Sequence, residues 1–138
     1  MNKKEEFQKK AVEFQMLQGS LKAIQEREQD LAHRLNELNV TKRAFEDLNN
    51  INNKDNTMIP LGGGNFIEGT ISDKDNVLVS IGGGIAVKRT SKEAAEITES
   101  RINEVEDVMV QLKDNSNKAV QRLIELEPEL EKMSKELE

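Results

Sequence analysis

Residues 59–70 read IPLGGGNFIEGT and residues 79–90 read VSIGGGIAVKRT. They are two copies of one pattern, 20 residues apart. All three glycines match, Gly62, Gly63 and Gly64 against Gly82, Gly83 and Gly84, and Ile59/Val79, Leu61/Ile81 and Ile67/Val87 stay apolar. The residues around each triplet are β-prone and patterned with a period of two, as in a half-exposed strand. Glycine reaches positive φ without steric cost, which a tight hairpin turn demands. The spacing predicts strands at 57–61, 65–71, 76–81 and 85–89, hence two hairpins joined by the turn SDKD at 72–75. Pro60 has no N–H for a ladder, which predicts an edge or a bulge at that strand. A phosphate-binding reading fails: no Gly-Lys-Ser/Thr follows either triplet, and the third glycine of a dinucleotide fingerprint is replaced by Ile67 and Val87.

Outward from this centre the period changes. Residues 2–49 hold no proline and one glycine, Gly19. Phe7, Phe14, Leu21 and Leu35 fall on one heptad position, and Leu17, Ile24, Leu31, Leu38 and Phe45 on the other, with Lys10, Glu28 and Lys42 interrupting. After the hairpins, Ala95, Ile102, Met109, Ser116, Leu123, Leu130 and Leu137 form one row. Thr98, Val105, Leu112, Ala119, Leu126 and Met133 form the second. A strict heptad over such lengths predicts a narrow coiled-coil seam. Thr90 with Glu93 three residues on reads as a capping box, and Pro128, facing outward, predicts a local bend. The expected fold class is mainly α with a small β part: an antiparallel coiled-coil hairpin flanking two β-hairpins. It forms a single domain over 1–138, with helix 2–49, linker 50–56, hairpins 57–89 and helix 90–137. Pairing residues whose numbers sum to 140 sets Phe7 on Met133, Phe14 on Leu126, Leu21 on Ala119, Leu35 on Val105 and Phe45 on Ala95. At about 1.5 Å per residue each helix spans roughly 65–70 Å.

Composition narrows the function. The chain is 33% charged and 3% aromatic, poor material for a globular core that could enclose an active site. Its net charge of −6 argues against nucleic-acid binding, which rewards clustered Lys and Arg. With no cysteine and one histidine, His33, off the heptad core, no metal set or nucleophile–base pair can form. No cofactor and no enzymatic activity are expected. No signal-peptide core or membrane-length apolar run occurs, so a soluble cytoplasmic protein is the simplest expectation.

Two surfaces remain. Four short strands with open edges are templates for association, so Ile59, Leu61, Phe66, Ile67, Ile71, Val77, Val79, Ile81, Ile85 and Val87 are the expected oligomerisation residues. The helix ends farthest in sequence from the hairpins carry Phe7, Phe14, Met16 and Leu17 on one helix and Leu126, Leu130, Met133 and Leu137 on the other. Many of these close the seam. Val12, Met16 and Ile124 lie off it, leaving apolar surface after the helices pair, and Met and Phe adapt to irregular partners.

Heptad helices of matched length around a doubled glycine hairpin, MIPLGGGNFIEG and VSIGGGIAV, resemble the α-class subunit of prefoldin over essentially the whole chain. The β-class has one hairpin, so the repeat points to the α-class. The middle turn residue, often Ala in that family, is Gly63 and Gly83 here. The resemblance implies an ATP-independent chaperone subunit in a hexamer of two α-type and four β-type subunits whose hairpins close into β-barrels. Unfolded clients would be held at the tips of the coiled coils and passed to a group II chaperonin. The competing expectation is a structural one, a coiled-coil adaptor or filament former that polymerises through its hairpins.

Overall fold

The computed structural model describes residues 2–52 and 55–138; Asn53 and Lys54 of the expected linker lie outside the described residues. The order is α1 (Lys3–Leu48), β1 (Asn56–Gly62), β2 (Asn65–Thr70), β3 (Asn76–Gly82), β4 (Ile85–Thr90) and α2 (Ser91–Glu136). Ile71, placed in the second strand by the sequence pattern, lies outside β2, in the connection to β3. Helix starts are set by side-chain caps, which satisfy N–H groups that have no partner inside the helix. Asn2 Oδ1 accepts the N–H of Glu5 at 2.8 Å, and Thr90 Oγ1 accepts that of Glu93 at 3.1 Å. The second cap was legible as a Thr-x-x-Glu box; the first, Asn-x-x-Glu, is the same signature with a less familiar cap. At its end α1 tightens into i→i−3 bonds, from Asn49 N to Glu46 O and from Asn50 N to Asp47 O. α2 runs through Pro128 without a break.

The hairpins are two separate two-stranded antiparallel sheets with the same internal register. Ile59 faces Ile67 and Pro60 faces Phe66 in the first; Val79 faces Val87 and Ser80 faces Ala86 in the second. Both shift register just before the turn, between Pro60 and Gly62 and between Ser80 and Gly82. The bulge therefore belongs to the turn and not to the proline. Each triplet uses all three glycines at positive φ, 98°, 61° and 82° in one and 98°, 61° and 74° in the other. The first makes the bulge and the next two make a two-residue turn that twists with the strands. Between the hairpins Asp73 caps its own turn, accepting the N–H of Asp75 at 3.0 Å and the amide of Asn76 at 2.9 Å. Both bonds favour the charged carboxylate; the Asn76 contact contributes most, and the Asp73 pKa is lowered.

The chain divides into two compact units, residues 1–34 with 105–138 and residues 35–104. In the first, every expected seam position from Phe7 to Leu31 and from Val105 to Met133 is at least partly buried; Leu137 is the exception, 43% exposed. The core of this unit is Leu31, Val105, Ala119 and Leu126. Lys10 ion-pairs with Glu129 at 2.7 Å, residues whose numbers sum to 139. In the second unit Leu38, Ala94, Thr98 and Ile102 are buried, and Lys42 meets Glu99 at 3.0 Å, a sum of 141. Both pairs agree with the expected register to within one residue. Ala94, 1% exposed, lies off the predicted rows. The buried face of α2 widens there because a second neighbour is at hand: Arg101 Nη2 donates to Ser80 O at 3.2 Å, and Ser91 donates through N to Asp75 O and through Oγ to Lys74 O.

Candidate functional surfaces

The three residues that interrupt the first heptad array behave differently. Lys10 and Lys42 reach acids at the seam edge, as long cationic side chains can while their stems stay buried. Glu28 does not: its Oε1 is shielded from solvent and has no hydrogen-bond partner among the described residues, beside Met109, Val110 and Lys113 in a shallow cavity. Farther along the same unit, Glu13 receives both Nε (2.7 Å) and Nη2 (3.2 Å) of Arg122, a two-pronged pair, and Arg122 Nη1 donates to Glu125 at 3.3 Å. The Arg122 hydrogen bonds hold the Glu13 pKa below its ordinary value, Lys10 does the same for Glu129, and the carboxylates raise that of Arg122. These pairs are part-exposed and screened by solvent, so they add little to stability. Their effect is to select the register.

The structure separates the eight residues expected to meet clients. Leu126 is fully buried, so contact with a client there requires the helices to part. Phe7, Phe14, Leu17, Leu130 and Met133 are partly buried in the seam. Only Met16, at 68%, and Leu137 are exposed. Apart from Leu137, the exposed large apolar side chains of this unit stand off the seam: Val12 with Met16 at i,i+4, Val120 with Ile124 at i,i+4, Val108 and Val110. Their sequence signal is an apolar residue out of phase with the heptad. Among the described residues no group of His, Cys, Asp or Glu could hold a metal ion, and no helix is long and apolar enough to cross a membrane. The chemistry on offer is burial of apolar surface, at about 25 cal/mol per Å².

On the hairpins, Ile59, Leu61, Phe66, Ile67, Ile81 and Ile85 are exposed, as are Met58 and Leu78, which the expected assembly residues omitted. Ile71, Val77, Val79 and Val87 are partly buried. The repeat equates Ile59 with Val79 and Ile67 with Val87, yet only the second hairpin has this face partly covered. Eight large apolar side chains are thus exposed within this small region.

No curated protein sequence matches this chain. Among solved structures, a chain from the cryo-EM structure of filamentous prefoldin from Methanocaldococcus jannaschii is similar in fold, with a TM-score of 0.71 at 16% identity, covering 83% of this chain and 95% of that one. The two long helices flanking two small antiparallel hairpins of this chain match the prefoldin fold. The family model for the prefoldin subunit matches residues 4–136, nearly the full length, and the chain belongs to the prefoldin family.

Proposed function

We propose that this chain is an α-class prefoldin subunit that holds non-native proteins at the helix ends remote in sequence from its hairpins, without ATP, and hands them to a group II chaperonin. Family and fold make it a chaperone-type subunit of a non-enzymatic family. The presence of two glycine-turned hairpins supports the α-class and a particle of two such chains with four β-type subunits. The observation that carries the holding role is the apolar surface left after the helices pair, Met16 and Val12 on α1 and Ile124 on α2. Each such surface binds weakly, and several acting at high effective concentration supply avidity. The binding is selective for exposed apolar surface and needs no particular client sequence. Replacing Val12, Met16 and Ile124 by Ser tests it: the particle should still assemble but lose most of its ability to keep an unfolded protein soluble. Full protection by this variant would refute the reading.

A second reading is a filament-forming structural subunit, favoured by the fold match to a prefoldin whose structure is filamentous and by the exposed hairpins. The mass of the purified chain, alone and with a β-type partner, separates the two.

A further inference from the structure

We propose that the helix pair of the first unit contains a built-in joint, a weak stretch where Glu28 and Ser116 enter the seam, which opens locally while the seam on either side stays closed. Separate observations converge on it. The first is a gap in the core. On α2, Val105 and Ala119 are buried, but no residue from 106 to 118 is. A regular heptad seam sets a core side chain against its partner helix at least once in each heptad.

The second observation is polarity at seam positions. Glu28 stands level with Met109, Val110 and Lys113, and its Oε1 is shielded from solvent with no hydrogen-bond partner among the described residues. A polar atom that gives up water and gains no partner opposes closure of the seam around it. The register marked by the Lys10–Glu129 and Lys42–Glu99 pairs sets Ser116 level with Ile24, one layer farther out, and both are only partly buried. The contrast is Thr98 in the second unit. It is a polar seam residue too, but its Oγ1 donates to Ala94 O at 2.9 Å and is satisfied within its own helix.

The third observation concerns the backbone. Across the gap α2 reads Asp114, Asn115, Ser116, Asn117, a run of weak helix formers whose side chains compete for backbone groups. The ion pair that spans this run, Lys118 with Asp114 at 3.0 Å, is largely exposed and supports it little. On α1 the one helical glycine, Gly19, lies nearby. A Cβ there would meet nothing within 4 Å, so packing does not require it, and it loosens the backbone. The flanks are firmer. Leu126 is closed beside the Glu13–Arg122 and Lys10–Glu129 pairs on the outer side, and Leu31 and Val105 are buried on the inner side. Both helices run unbroken through the level of the joint, which is therefore a minimum of local stability and not a kink. Opening there lets the outer segment, with exposed Val12, Met16 and Ile124, adjust to clients of different shape without parting at Leu126. That consequence rests on the holding role proposed above; the joint itself does not.

Hydrogen–deuterium exchange of the purified full chain, read on overlapping peptides by mass spectrometry, tests the joint. Along α2, protection should pass through a minimum within residues 112–117, about tenfold or more below that near Val105 and near Leu126. Fraying from the helix end alone would give a steady rise toward Val105 with no minimum. Glu28→Leu should then raise protection in residues 112–117 by about tenfold, because an orphaned polar group is replaced by one that gains from burial. The change lies on α1 and the readout on α2, so only coupling across the seam can produce it. A steady profile, or a minimum that Glu28→Leu leaves unmoved, overturns the proposal. Client protection is a separate readout: a chain that shows the minimum and its repair yet protects no client refutes the holding role and leaves the joint intact.

Discussion

Replacing Leu126 by Ala should separate the strut from the holding surface. Among the described residues Leu126 is the one large side chain with no exposed area. The change removes three carbons, and at about 0.8 kcal/mol per buried methylene the transfer loss alone is about 2 kcal/mol. The residual cavity raises Leu→Ala costs to about 2–5 kcal/mol. Only two helices line this seam and many neighbours are part-exposed, so the site can partly collapse, and about 2–3 kcal/mol is expected. Met16, already 68% exposed, gives up little burial, and Met16→Ala should cost about 0.5 kcal/mol or less. Urea unfolding of the assembled protein, followed by far-ultraviolet circular dichroism, measures both. At a temperature where both variants stay folded, the order should invert for function: Met16→Ala should impair suppression of client aggregation more than Leu126→Ala. Equal stability of the two variants would refute a closed seam at Leu126, and equal protection by both would remove Met16 from the holding surface.

Cysteines replacing Leu21 and Ala119 should form a disulfide readily, since that bridge needs Cα atoms within about 7 Å; preferential bridging of position 21 to 112 or 126 would reveal a slipped register. Glu13 and Glu129 titrate below the ordinary glutamate value of 4.5 in the folded chain. Their contribution is therefore complete above that value and is lost as pH falls through the lower folded pKa. A scan of helical content against pH should show this loss, and Glu13→Gln with Glu129→Gln should flatten it. Ile67→Asp together with Val87→Asp should leave helical content nearly unchanged while light scattering shows no higher oligomers; intact oligomers would place assembly outside the hairpins.

Whatever depends on neighbours along the chain was legible in the sequence. The glycine triplets implied positive φ because no other residue adopts it cheaply, and all six glycines adopt it. The heptads located the seam, and Thr90 marked the start of α2. A repeat period states which residues share a face, but not what covers that face. Packing decided that Leu126 is closed and Met16 open, although both stood among the same expected contact residues. It decided that Lys10 and Lys42 find acids while Glu28 Oε1 has no partner among the described residues, which depends on side chains more than 50 residues away in sequence. It also made the two hairpins unequal. Val79 and Val87 are partly covered where Ile59 and Ile67 are bare, because burial needs a second surface brought by the fold, and a repeated sequence cannot record which of its copies receives one.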